Sequence, residues 1–139
     1  MKPFHLDSKM HTMGGKFYPT GWMVLMFPGE QEAQDAARKL ADGGIADTEV
    51  MMVTPDQFRA EILGRAGDDA ILPSAGTEGD TVRQFATYAM RGHHALMVHA
   101  PDSEQSERVM ELLHDCPIAY GQRYRKLVIE DIVEPTLPG

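Results

Sequence analysis

An internal repeat is the feature that most constrains how this chain can fold. An offset of 73 residues places the segment 24–28, Val-Leu-Met-Phe-Pro, on the segment 97–101, Met-Val-His-Ala-Pro, and Leu40 on Leu113, without a gap. Each copy has the pattern of a short apolar strand, a proline corner, an amphipathic helix and a second strand. The sequence therefore predicts two βαβ units.

Two related βαβ units are typical of the ferredoxin-like α+β sandwich, in which helices cover one face of a four-stranded antiparallel sheet. This is the fold class that we expect. A doubly wound parallel sheet is the alternative. It is disfavoured because the predicted strands are short and no glycine-rich fingerprint joins a strand to a helix.

The elements follow from local patterns. The apolar run 22–27, bounded by Pro28 and Gly29, predicts a strand that is buried on both faces. Further strands are expected within 48–53, 93–100 and 120–133. Helices are expected to begin near Glu30, Thr54, Thr77 and Asp102, the last three with capping patterns. We expect an arm at 1–20, a single domain at 21–134 with an insertion at about 63–92, and a tail at 135–139.

Length and charge restrict the class of protein. The 139 residues suit one domain with one hydrophobic core. An excess of acidic over basic residues gives a formal net charge of −8, so the chain lacks the wide positive field that captures nucleic acid or anionic membranes. It has one cysteine, and no apolar run approaches the roughly 20 residues of a membrane span. We expect a cytosolic protein with no cofactor and with no nucleic-acid or membrane partner.

The first repeat unit resembles a known family. Residues 22–33, Trp-Met-Val-Leu-Met-Phe-Pro-Gly-Glu-Gln-Glu-Ala, followed by residues 43–50, Gly-Gly-Ile-Ala-Asp-Thr-Glu-Val, are similar to the opening unit of small bacterial general stress protein (heat-induced stress protein) domains. In that family a strand leads into an acidic, alanine-rich helix, then a glycine and a strand. The resemblance does not extend to the arm, the insertion or the second repeat. It implies a compact, non-catalytic accessory domain.

The most distinctive candidate for ligand binding is the basic stretch 120–126, Tyr-Gly-Gln-Arg-Tyr-Arg-Lys. On a strand, Tyr124 and Lys126 would share one face, and Arg123 and Arg125 the other. This layout suits a small anionic ligand or the acidic surface of another subunit. The structural alternative is a strand whose cations balance the acidic residues of the same protein.

Histidines alternate along the third predicted strand. His93 and His99 point to one face with Ala95 and Met97, and His94 points to the other. At about 3.3 Å per residue, His93 and His99 lie roughly 20 Å apart, too far to share a metal ion. His94 and His99 are candidate ligand-binding residues, and the alternative is that they lie on the sheet surface or at a subunit contact.

The sulfur-containing residues are relevant to two kinds of chemistry, metal binding and nucleophilic catalysis. Met10, His11 and Met13 place two thioethers and an imidazole close together in the arm, a soft ligand set that favours Cu(I). Most other methionines fall in predicted strands and helices, where they fill a core. Cys116 follows a helix C-terminus, whose field opposes a thiolate, so a nucleophilic role is not expected.

These features favour a non-catalytic regulatory or stress-associated domain that acts through self-association and by binding a small ligand or a protein partner. Open sheet edges and a free sheet face are commonly covered by a second copy, here a dimer. Aromatic residues at the start of the chain are expected to strap across that contact; they are Phe4, Phe17, Tyr18 and Trp22.

Two alternatives stay open. One is a cofactor-independent enzyme of the dimeric ferredoxin-like type, and the other is copper or zinc handling through the arm. A deep pocket where several candidate side chains converge would favour the enzyme, whereas a filled core would favour the binding domain. The candidates for that pocket are Tyr88, His94, His99, Tyr120 and Arg123.

Overall fold

A computed structural model describes residues 1–4, 19–63, 77–125 and 129–133. A five-stranded sheet has the order β2-β3-β1-β4-β5, and every neighbouring pair is antiparallel. Its strands are β1 (Trp22–Phe27), β2 (Val50–Val53), β3 (His94–His99), β4 (Tyr120–Tyr124) and β5 (Ile129–Val133). The helices are α1 (Glu30–Asp42), α2 (Pro55–Gln57), α3 (Thr77–Met90) and α4 (Ser103–Leu112). A 3₁₀ turn (Asp47–Glu49) precedes β2, and a π-helical segment (Phe58–Leu63) continues α2.

The two repeat units pack in the same way on one face of the sheet. The 73-residue offset that aligns the strands also aligns the first residues of α1 and α4. Both helices bury small or apolar side chains against the same sheet residues, which include Leu25, Leu96 and Val98. The buried positions of the first unit correspond one by one to those of the second: Ala33, Ala36 and Leu40 to Ser106, Val109 and Leu113.

The segment between the two repeat units covers the opposite face of the sheet. Phe58 and three residues of α3, Phe85, Tyr88 and Ala89, form a buried cluster with sheet residues such as Met97. The sheet therefore lies between two helical layers, and β1 is buried on both faces as predicted. The expected free sheet face is not present, because α3 of the same chain occupies it.

The sheet has one strand more than predicted. The region 120–133 has the pattern of one strand-rich segment, but the chain turns back within it, so that Tyr124 pairs with Ile129 and Gln122 with Asp131. The sequence between the two strands contains no glycine, proline or asparagine, the residues that would predict a turn. The fold is thus a mixed α/β arrangement with five antiparallel strands rather than four.

The start of the chain lies along the chain's own sheet. The Lys2 amide donates to the Val50 carbonyl at 2.8 Å, and Lys2 forms a parallel bridge with Met51. Phe4 is partly buried against the cluster beneath α3. Residues 5–18, 64–76, 126–128 and 134–139 lie outside the described residues, and with them the expectations for most of the arm, for the connection in the insertion and for the tail.

Two predicted capping boxes are confirmed, and they mark the starts of α2 and α4. The Thr54 hydroxyl accepts from the Gln57 amide at 3.1 Å, and the Gln57 side chain accepts from the Thr54 amide at 2.9 Å. The Asp102 carboxylate accepts from the Gln105 amide at 2.8 Å, and the Gln105 side chain accepts from the Asp102 amide at 3.4 Å. Two otherwise unpaired backbone donors are satisfied at each helix start.

Candidate functional site

The two candidate histidines are far apart in the fold. His94 and His99 stand at opposite ends of β3, where they pair across the sheet with Phe27 and Trp22 of β1. The His94 Nδ1 atom lies 3.2 Å from the carbonyl of Gly92, just before the strand. The two imidazoles therefore do not belong to one site.

The basic stretch is divided between the core and the surface. As predicted, Tyr124 and Arg123 lie on opposite faces: Tyr124 packs in the cluster beneath α3, and Arg123 Nη1 lies 3.4 Å from the Ser103 hydroxyl at the start of α4. Their exposed fractions are 1% and 6%. Arg125 is exposed just after β4, and Lys126 lies outside the described residues. Of the described members of this stretch, only Arg125 offers an exposed cation.

The tyrosines of the enzyme alternative lie inside the core. The rings of Tyr88 and Tyr120 stack with centroids 5.3 Å apart, and Phe85 packs 5.0 Å from Tyr120. The Gln122 amide nitrogen donates to the Tyr120 hydroxyl at 2.6 Å. Since these side chains fill the space between α3 and the sheet, they do not converge with His99 in a cleft.

A hydrogen-bonded acid–imidazole pair lies at one end of the sheet. His99 Nδ1 is 2.5 Å from Glu49 Oε2, and each side chain is 39% exposed. The pair follows from the strand register, because Val50 is opposite Val98 and each next residue outward is then Glu49 or His99. In a neutral ring, Nδ1–H donates to the carboxylate and Nε2 carries the lone pair. The Trp22 ring lies 5.1 Å from the imidazole.

A cleft of about 390 Å³ adjoins this pair. Its walls come from the loop 44–46 after α1, from Glu49 and His99, and from Gln105, Arg108 and Val109 of α4. Arg108 Nη2 donates to the Gly43 carbonyl at 2.5 Å, which ties the guanidinium to the same loop. The cavity volume falls within the range of about 300–1,000 Å³ that is usual for small-molecule sites.

Of the polar residues that line this cleft, only His99 is a candidate ligand-binding residue from the sequence. Glu49 belongs to it because of the β2–β3 register, which the hydrophobic pattern does not specify. Gln105 and Arg108 have the pattern of a solvated helix face, and nothing local distinguishes them from neighbouring polar residues. Antiparallel pairing of the second and third strands is the signal that could have placed Glu49 near His99.

No metal site is present in the part of the chain that the structure describes: no three His, Cys, Asp or Glu side chains there lie close enough to share an ion. The arm residues Met10, His11 and Met13 lie outside that part. Within the same limits, no helix is long and apolar enough to cross a membrane.

Cys116 has the properties of a weak nucleophile. Burial raises the pKa of its thiol, and the nearby Lys39 only partly opposes that effect. Lys39 itself forms an ion pair with Asp115, whose pKa is lowered by that hydrogen bond. A thiol that keeps its proton reacts slowly.

His93 lies outside the cleft, between the end of α3 and the start of β3. Its ring contacts Tyr88 edge-on at 5.1 Å, and its Nδ1 is buried with no hydrogen-bond partner among the described residues. Burial lowers the pKa of His93; a backbone hydrogen bond to Tyr88 opposes this shift, and the charges of Arg91 and His94 add to it. The folded state therefore favours the neutral ring.

Substitution of His93 by phenylalanine is expected to make stability less dependent on pH. Because folding lowers the pKa of His93, this side chain binds protons more readily in the unfolded chain than in the folded one. Its contribution to the free energy of unfolding is therefore complete above about pH 6.5 and is lost as the pH falls below that value. Urea unfolding of both proteins between about pH 7.5 and pH 5 measures the difference. Parallel pH profiles for His93→Phe and the wild type would contradict the assignment.

Comparisons with protein-family models, with curated proteins and with solved structures found no match. The architecture of the chain itself therefore defines its class: a mixed α/β fold with a five-stranded antiparallel sheet and a cleft of mixed polar and apolar lining at one end of the sheet.

Proposed function

We propose that this protein is a non-catalytic binding domain that takes a small ligand into the cleft beside Glu49 and His99. The observation that carries the proposal is the composition of the cleft, which combines a guanidinium, an acid–imidazole pair and the apolar side chains of Ile45 and Val109. Such a mixture of apolar surface and a few polar groups is typical of ligand sites. The filled core around Tyr88 supports binding over catalysis.

The ferredoxin-like class is part of the proposal. The partial order β2-β3-β1-β4 and the placement of α1 and α4 on one face support it. On this interpretation, α3 and β5 are additions to a duplicated βαβ plan. The first unit has the features of the family that it resembles: a strand, an acidic helix with Glu30 and Glu32, and glycines after the helix. This resemblance supports a regulatory or stress-associated role in the cytosol.

Self-association through a sheet edge is the second part of the proposed function. β5 is the last strand of the sheet, and no described strand pairs with its outer edge. Exposed edges readily pair with another chain. Sedimentation equilibrium is expected to show a dimer, and a monomer that persists at high protein concentration would contradict this part.

A cleft-filling substitution tests the ligand site. Trp22 is the single tryptophan of the chain, and its ring centroid lies 5.1 Å from that of His99, so its fluorescence is expected to change when a ligand contacts His99. Compounds that raise the melting temperature in a small-molecule screen are titrated against the wild type and Ala46→Phe, which places a phenyl ring at the exposed rim. We expect binding to weaken about tenfold or more, because the added ring takes ligand volume.

Ala41→Phe is the matched control, since Ala41 is exposed in the last turn of α1 and does not line the cleft. It is expected to bind the same compounds as tightly as the wild type. Compounds that bind Ala46→Phe as tightly as the wild type, or a screen that yields none, would contradict the proposal.

A further inference from the structure

Arg108 differs from the other cations on the helices around the cleft. Arg38 and Lys39 of α1 form ion pairs with Asp35 and Asp115, but no described carboxylate lies in ion-pair contact with Arg108. Its hydrogen bond to the Gly43 carbonyl uses one of the five N–H donors of a guanidinium. The cleft therefore contains an oriented positive charge whose remaining donors are available to a ligand.

Gln105 adds neutral donors to the same wall. It lies one turn before Arg108 on α4 and also lines the cleft. Its Oε1 atom accepts from the Asp102 amide in the capping box, so the Nε2 group carries the remaining hydrogen-bonding capacity. The Glu49 carboxylate accepts a hydrogen bond from His99, which fixes its position in the cleft. Arg108 and Gln105 together favour a negatively charged partner.

We infer that the cleft binds a small organic anion, a carboxylate or a phosphate monoester. Its charged group lies against Arg108 and Gln105, and its apolar part lies against Ile45 and Val109. An Arg fork matches the oxygens of both acid types, which is the chemistry that they share. The net charge of −8 gives no general attraction for anions, so recognition depends on these local donors. The inference rests on the proposed ligand-binding function and specifies its ligand class.

Three probes of similar size separate charge from shape: phenylacetate, its neutral amide phenylacetamide, and phenyl phosphate. Each is titrated into the full-length protein while Trp22 fluorescence is recorded. At least one anion is expected to bind about tenfold more tightly than the amide, because a charge-assisted contact is lost in the neutral probe. The tighter of the two anions identifies the acid type.

Gln105→Glu is the most informative variant. Glutamate at this position preserves the capping box, so the helix start stays intact while a negative charge enters the cleft. We expect the affinity for the anions to fall about tenfold or more and the amide to be little affected. Gln34→Glu, on the exposed face of α1, adds the same charge away from the cleft and is expected to bind like the wild type.

Arg108→Lys retains the charge without the fork and is expected to keep part of the anion affinity. Binding of phenylacetamide as tight as that of both anions, or an unchanged anion affinity in Gln105→Glu, would overturn the inference. If the compounds that Ala46→Phe excludes are neutral and no anion binds, the inference fails while the proposed function stands. If neither the screen nor the probes give binding, both fail.

Discussion

Replacement of Phe85 by alanine is expected to lower the free energy of unfolding by about 3–5 kcal/mol. The Phe85 side chain is fully buried, with ring centroids of Phe58 at 6.3 Å and Tyr120 at 5.0 Å. Removal of the ring opens a cavity between α3 and the sheet, and neighbours held by the sheet can close it only in part. Urea unfolding followed by circular dichroism measures the change.

Met90→Ala is the matched control on the same helix. Met90 is 78% exposed, so its truncation removes few contacts and is expected to change the free energy of unfolding by less than about 0.5 kcal/mol. The comparison shows whether α3 is a structural layer of the domain or an appended helix. A loss from Phe85→Ala as small as that from Met90→Ala would show that α3 does not secure the second sheet face.

The repeat made the first helical layer predictable. Because Leu40 and Leu113 occupy equivalent positions in the two copies, the sequence alone indicates that α1 and α4 have equivalent packing faces. Capping patterns at Thr54 and Asp102 predict the helix starts, since they depend on residues three positions apart. These features are local or repeated, and such features are accessible from one sequence.

The second layer and the fifth strand depend on contacts between distant residues. Phe85 has an amphipathic pattern that predicts a helix, but the pattern does not say that the helix lies on the face opposite α1. The sequence between Tyr124 and Ile129 lacks the residues that usually predict a turn, so the sequence pattern shows β4 and β5 as one segment. Tertiary packing decides both features.

The cleft was the least predictable feature. His99 was a candidate because of its residue type, whereas Arg108 and Glu49 acquire their roles only when α4 and β2 meet at the same end of the sheet. Strand register joins Glu49 to His99, and a shift of one residue would separate them. A cleft assembled from three chain segments leaves little trace in any one of them.

Leu25→Ala and Gly121→Val test the close contact between β1 and β4, and both are expected to lower the free energy of unfolding. Leu25 is fully buried at the centre of β1, and its truncation is expected to cost about 2–5 kcal/mol. Gly121 is its partner on β4, and a Cβ there would lie 2.8 Å from Leu25 Cδ2. Gly121→Val alone is expected to cost about 1–3 kcal/mol through overpacking.

The double variant separates this contact from a general weakening of the sheet. With the Leu25 side chain removed, the space that it filled becomes available to the valine at 121, so the two costs should not add. The expected coupling is about 0.5–3 kcal/mol in the favourable direction, measured by urea unfolding of the wild type, both single variants and the double variant. If the losses in free energy of unfolding of the two single variants simply add in the double variant, the close approach of Leu25 is not the reason for a glycine at 121. The packing explanation of Gly121 would then be wrong.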